Sequence, residues 1–193
     1  IVREIFIDKP YTRHLKLPAN PIVVDVGGYI GDFSLYAAKR LNASRVVVYE
    51  PTAENFAILK TNIQDNSLEG RIHAVNEAVG DGNDITFNVK TLEGGEVHVS
   101  SYWYPGAELR TIPSTTLSSV LEENSLESVD LLKVDCEGGE YDIFPNITDE
   151  LFGRIQNIVF EHHQVEGFEE KLERVVSRLK SAGYAVRLEG QMG

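Results

Sequence analysis

The sequence predicts an α/β fold: a doubly wound, mostly parallel sheet with helices on both faces. From residue 22 onward, short β-branched apolar runs alternate with segments of helical period. Strands separated by helices need crossover connections, and these build parallel sheets covered on both sides. The length of 193 residues suits a single domain whose core needs no covalent staples.

The elements follow in order. Residues 22–26, after Pro21, read as a buried first strand. Gly27-Gly28-Tyr29-Ile30-Gly31 is a turn, and Asp32 opens a helix with Phe33, Tyr36, Ala37 and Leu41 on one face. Residues 45–49 form a second strand, closed by Glu50-Pro51. Thr52 is placed as an N-cap with Glu54 in the first turn, and Phe56, Leu59 and Ile63 carry that helix towards Asn66. Residues 72–75 are a third strand. Residues 81–114 break the pattern with glycines, short alternating runs and the stretch Tyr102-Trp103-Tyr104. They read as an inserted hairpin and a long loop, where specificity often resides. Residues 116–123 form a short helix, 129–134 a fourth strand and 155–160 a fifth. Phe168, Leu172, Val175, Val176 and Leu179 mark an amphipathic helix stopped by Gly183, and residues 184–188 read as a sixth strand.

Composition bounds the function. There are 18 basic and 30 acidic residues, a net charge of −12. Such a surface repels phosphate backbones, so nucleic acid is not an expected partner. Cys136 is the sole cysteine, which rules out a disulfide scaffold and a zinc–thiolate cluster and fits a reducing, cytoplasmic setting. No apolar run approaches the roughly 18 residues of a membrane span, so no membrane partner is expected. With Ile1 first and Met192 the single methionine, the chain reads as a piece of a longer protein. Residues 1–21 are then a lead-in segment and 22–193 the domain.

In open α/β sheets, ligands bind at the carboxyl ends of the strands. Strand one ends in Asp25-Val26-Gly27-Gly28-Tyr29-Ile30-Gly31, where glycines let a ligand approach the backbone. The spacing is not the dinucleotide pattern G-x-G-x-x-G. Asp25 and Asp32 would repel a diphosphate and attract a ligand with a free amino group. Glu50 ends strand two, where a carboxylate can accept hydrogen bonds from both hydroxyls of a ribose. Asn76-Glu77-Ala78 ends strand three, within reach of an adenine edge. Together these ends point to a ribonucleoside.

The segment 24–31 resembles the first motif of class I S-adenosylmethionine-dependent methyltransferases. Val48-Tyr49-Glu50-Pro51, followed by Asn55-Phe56 and Leu59-Lys60, resembles the second motif of the FkbM-type subfamily, and Asn76 to Asp81 its third. Leu132-Lys133-Val134-Asp135-Cys136-Glu137-Gly138-Gly139-Glu140 is similar to its most distinctive segment, K-x-D-x-E-G-x-E. Gly28 stands where small residues such as alanine are common. The resemblance implies a Rossmann-like fold of the class I methyltransferase type, with strand order 3-2-1-4-5-7-6. It implies S-adenosylmethionine as cofactor, contacted by Asp25, Gly27, Gly28, Tyr29, Gly31, Glu50, Pro51, Asn76, Glu77, Ala78 and Asp135. The implied reaction is methyl transfer, here to oxygen of a small-molecule or saccharide acceptor.

An oxygen acceptor needs its proton removed. Asp135 and Glu137 are two apart, as are Glu161 and His163, so each pair shares a face while the chain stays extended. Strands four and five are expected to be neighbours, bringing these four candidate catalytic groups together. The preferred reading is metal-free, with Asp135 beside the donor and Glu161 or His163 as base. The same four residue types would also suit magnesium or manganese. His162 is expected to face away from His163 as a satisfied structural histidine. His14, His73 and His98 have no partners in sequence, and Cys136 is expected to pack into the core. Two other readings stand beside methyl transfer: an NAD-dependent oxidoreductase or epimerase, and a non-catalytic nucleoside-binding module.

Overall fold

A computed structural model describes residues 11–100, 105–163 and 166–188. Its central sheet has five parallel strands: β1 (Ile22–Val26), β2 (Arg45–Tyr49), β3 (Ile72–Val75), β9 (Leu131–Val134) and β10 (Ile158–Phe160). The spatial order is β10-β9-β1-β2-β3, which matches the 3-2-1-4-5 part of the expected order.

The three central strands β1, β2 and β9 are buried on both faces, as their near-continuous apolar runs require, while the edge strands β3 and β10 are partly exposed. Val24, Val26, Val47, Tyr49, Leu132 and Val134 join one core, packed with α3 (Leu117–Glu123), α4 (Glu140–Ile143), α5 (Asp149–Phe152) and α6 (Phe168–Ser181). Val23, Val46, Val48 and Leu131 face the other way, against α1 (Asp32–Lys39) and α2 (Ala53–Asp65). Alternate residues of one strand thus feed two cores, the period-two geometry of a strand.

Helix boundaries follow local chemistry. Thr116 accepts a hydrogen bond from Ser119 N at 3.1 Å and caps α3. Thr52 occupies the N-cap position of α2 with extended backbone, but its side chain makes no cap bond. Its hydroxyl instead donates to Glu50 Oε1 at 2.6 Å. The amphipathic α6 buries Val175 and Leu179, and Gly183 follows its end.

Residues 81–114 hold more than a hairpin. β5 (Ile85–Thr91) lies between β6 (Val97–Ser100) and β7 (Glu108–Ile112) in an antiparallel sheet. β4 (Ala78–Gly80) pairs in parallel with β8 (Ser114–Thr116) and closes the base of the insertion. Asn55 of α2 clamps the insertion to the body. Its Nδ2 donates to Val97 O at 2.9 Å, and its Oδ1 accepts from Val97 N at 2.8 Å. Tyr102, Trp103 and Tyr104 lie outside the described residues.

Two expectations are corrected. Residues 184–188 do not form a strand. In the expected order, strand six borders only strand seven, and no strand seven is among the described residues, so the segment has no ladder to join. Tyr184 holds it instead, donating to Phe152 O at 3.0 Å and Ile155 O at 2.7 Å. The fifth strand is also shorter than 155–160. Ile155 makes only an isolated bridge to Val129.

Candidate functional site

A cleft of about 450 Å³ opens at the carboxyl ends of β1, β2, β9 and β10 and is roofed by the insertion. This is where an open α/β sheet receives ligands, and the volume suits a small molecule.

The glycine loop forms its floor. Gly27 has φ +82°, and a Cβ there would stand 1.7 Å from Asp135 O. Only glycine allows β1 to pass β9 so closely. The loop amides are already bonded: Gly27 N and Gly28 N donate to Tyr49 O at 3.0 and 2.9 Å, Gly31 N to Gly28 O at 2.8 Å, and Tyr29 N to Glu50 Oε2 at 2.8 Å. These four amides are therefore not presented to a diphosphate, unlike the dinucleotide loop. At Gly28 a Cβ would meet Val48 Cγ2 at 2.2 Å, so alanine there would displace Val48.

Glu50 ends β2 and is only 3% exposed. Its Oε1 accepts from Thr52 N at 3.0 Å and Thr52 Oγ1 at 2.6 Å, while Oε2 accepts from Tyr29 N. Burial pushes its carboxyl above the usual range, against the lowering pull of these bonds. Pro51, Glu77 and Ala78 line the cleft beside it. Asn76 does not. Its Nδ2 donates to Glu50 O at 2.8 Å and Pro51 O at 3.1 Å, tying two strand ends together.

Asp25 is also absent from the cleft wall. It is fully buried, pairs with Lys133 Nζ at 3.2 Å and accepts from Ser34 Oγ at 2.6 Å. The expected attraction for a ligand's amino group is met by the protein's own ammonium, because Asp25 and Lys133 are register partners in β1 and β9. Burial works against the Lys133 charge, but Asp25 and Asp135 outweigh it and raise its pKa. Asp32 does face the cleft, and among the described residues its buried Oδ2 has no hydrogen-bond partner. Gly31 caps α1 and likewise does not line the cleft.

All four candidate catalytic groups converge. Phe160 pairs with Val134, so Glu161 and Asp135 emerge side by side. Glu137 has φ +55° and Gly138 φ +108°, a left-handed turn that aims Glu137 back into the cleft. His163 Nε2 lies 3.6 Å from Glu137 Oε2 and 3.8 Å from Asp135 Oδ1. Glu140, fully buried, accepts from His163 Nδ1 at 3.0 Å and from its backbone N at 2.9 Å. Burial opposes the imidazolium, but Glu140, Glu137 and Asp135 push its pKa up to about 9. His163 is thus a charged donor at neutral pH. Among the described residues no group of three or more His, Cys, Asp or Glu is arranged to hold a metal ion, so the magnesium or manganese expectation goes no further.

Sequence reasoning missed Tyr11, which reaches in from the lead-in segment. Its hydroxyl donates towards Glu161 Oε2 at 2.9 Å and Asp135 Oδ2 at 3.0 Å. It assigned no role to Lys133 or Glu140, though both stand in the quoted K-x-D-x-E-G-x-E segment. His98 was set aside, yet it lines the cleft and lowers the Glu137 pKa against a larger burial effect. Cys136 packs against the core, as expected, and is half-buried where it also lines the cleft wall. Burial first, then Glu140, raise its thiol well above the ordinary value. His162 packs on Phe168 at 5.5 Å, and among the described residues its buried Nδ1 has no hydrogen-bond partner, so it is not the satisfied histidine expected.

Comparison with known proteins agrees with this geometry. The family model described as Methyltransferase FkbM domain matches residues 25–186. The 31-O-demethyl-FK506 methyltransferase FkbM of Streptomyces tacrolimicus is 29% identical, over 96% of this chain and 81% of its own. Methyltransferase sdnD of Sordaria araneosa is 25% identical, over 91% of this chain and 79% of its own. The crystal structure of Methyltransferase FkbM from Methylobacillus flagellatus KT superposes with a TM-score of 0.61 at 14% identity, covering 93% of this chain and 41% of that one. The fold, the cleft and the family model agree: this chain belongs to the FkbM methyltransferase domain family, whose members are S-adenosylmethionine-dependent methyltransferases.

Proposed function

We propose that this domain methylates a hydroxyl oxygen of a small-molecule or saccharide acceptor, in a reducing cytoplasmic setting. The observation that carries the reading is one cleft holding both halves of the chemistry. Glu50 and the glycine loop line it together with Asp135, Glu161 and His163, and Gly27 packs against the Asp135 backbone. The relative named as a 31-O-demethyl-FK506 methyltransferase is, by that name, an enzyme acting on an oxygen, which supports the choice of atom.

The residues present fit the donor. Glu50 is fixed by Thr52 and Tyr29 to receive ribose hydroxyls. The buried, unpartnered Oδ2 of Asp32 suits an ammonium. Gly27 lets the loop pack directly against the Asp135 backbone, which keeps Asp135 beside the loop at the cleft. Pro51, Glu77 and Ala78 flank the adenine end. When bound, S-adenosylmethionine supplies an electrophilic methyl group and leaves as a neutral thioether. The protein then has to align the acceptor, exclude water and take one proton.

Glu161 takes that proton. It is the exposed carboxylate of the group, open to an incoming hydroxyl. His163, already protonated near neutrality by its bond to Glu140, offsets the charges of Asp135 and Glu137. Asp135 is anchored by Lys133 at 3.4 Å and stands at the junction of the two halves. In this reading the transfer is metal-free, so dialysis against a chelator is expected to leave turnover unchanged.

The test is incubation with methyl-labelled donor and a panel of neutral alcohols, polyols and saccharides, with products identified by mass spectrometry. Label retained as an ether supports oxygen transfer. Label on nitrogen or carbon, or on no acceptor at all, contradicts it.

A further inference from the structure

Tyr11 is held by built contacts. Its ring packs edge-on against Phe33 with centroids 5.4 Å apart, and Lys133 Nζ lies 5.8 Å from its face. Leu15 and Leu17 pack on the same core, and Thr12 Oγ1 bonds Tyr36 Oη at 3.0 Å. Residues 11–17, ahead of β1, are therefore part of the body, and Tyr11 is their contribution to the cleft.

The hydroxyl does a particular job there. Strands β9 and β10 are parallel neighbours, so their register sets Asp135 and Glu161 about 5 Å apart at the backbone. Two carboxylates that close repel one another. Lys133 and His163 both attend Asp135. Among the described residues no cation forms an ion pair with Glu161, and Tyr11 is its side-chain hydrogen-bond partner. A phenol has one proton to give, and here it is shared between Glu161 Oε2 and Asp135 Oδ2. That shared bond fixes one oxygen of each carboxylate and leaves the other oxygen of Glu161 for an acceptor.

We propose that Tyr11 is a positioning residue for methyl transfer, its phenol holding Glu161 against Asp135 so that the free carboxylate oxygen meets the acceptor hydroxyl. This rests on the reading of Glu161 as base.

The test compares Tyr11→Phe, Tyr11→Ala and Glu161→Gln with the wild type. Phenylalanine keeps the ring on Phe33 and removes only the hydroxyl. Both Tyr11 variants are expected to lower kcat by about 10- to 100-fold, with affinity for S-adenosylhomocysteine within about threefold of wild type. Phenylalanine at wild-type kcat, beside a Glu161→Gln enzyme that has lost turnover, overturns the role of Tyr11 and leaves Glu161 standing. Glu161→Gln at wild-type kcat overturns the base assignment and this proposal with it. A crystal structure of Tyr11→Phe with S-adenosylhomocysteine gives a readout independent of any acceptor. Displaced Asp135 or Glu161 carboxylates support the proposal, and unmoved ones contradict it.

Discussion

Single residues do separable things in this cleft. Glu50 is pre-oriented by bonds from Thr52 and Tyr29, so Glu50→Ala should weaken donor binding by about 1–3 kcal/mol in calorimetry, the worth of hydrogen bonds to a charged group. Glu161→Gln should lower kcat by roughly 10²- to 10⁴-fold, the usual contribution of a general base, with little change in donor affinity. His163 carries a pH signature. Its folded pKa of about 9 lies above the ordinary histidine value. The stabilisation it brings is therefore complete below about pH 6.5 and disappears as pH rises through about 9. Urea unfolding across that window should show stability falling with pH in the wild type and a flatter profile in His163→Gln. A parallel pair of profiles would remove the Glu140–His163 contact from the account. Strand-end residues such as Glu50 and Asp135 were legible in sequence because each follows an unmistakable apolar run. Tyr11 was not. It precedes the first strand with no periodic neighbours, and it meets Asp135 and Glu161 only through tertiary packing.

At the scale of elements, the insertion is the part the sequence described least well. The run 85–89 alternates clearly, but β6 and β7 have mixed, half-exposed faces, so periodicity alone shows a hairpin where three strands pair. The central strands were plain because burial on both faces makes them continuously apolar. The sixth strand failed for the opposite reason, since its residues suit a strand but no neighbour among the described residues offers a ladder. Asn55, beside Glu50, fixes the insertion above the cleft through both its bonds to the buried Val97. Asn55→Ala should cost on the order of 1–3 kcal/mol for each backbone group left unpaired. Hydrogen exchange should then speed up in residues 85–100, while β9 stays protected. Equal protection in the insertion would show that Asn55 is not its anchor.

For the whole molecule, one cleft is lined both by Glu50 with the glycine loop and by the acidic cluster of Asp135, Glu137 and Glu161, under a net charge of −12. That charge predicts no salt-sensitive association with RNA or DNA in filter-binding titrations. Among the described residues no helix is long and apolar enough to cross a membrane. The glycine spacing separated this loop from a dinucleotide cradle, and the structure supplies the reason, since Tyr49 O and Glu50 consume the amides of Gly27, Gly28 and Tyr29. What the sequence could not give was pairing across strands. The register that sets Asp25 against Lys133 turned an expected ligand contact into a buried ion pair. Calorimetric titration of the protein with S-adenosylhomocysteine, and separately with NAD, tests the central claim most directly. Saturable binding of S-adenosylhomocysteine, weakened in Glu50→Ala, with no heat from NAD is the predicted result. Binding of NAD, or no binding of S-adenosylhomocysteine by the folded protein, would contradict it.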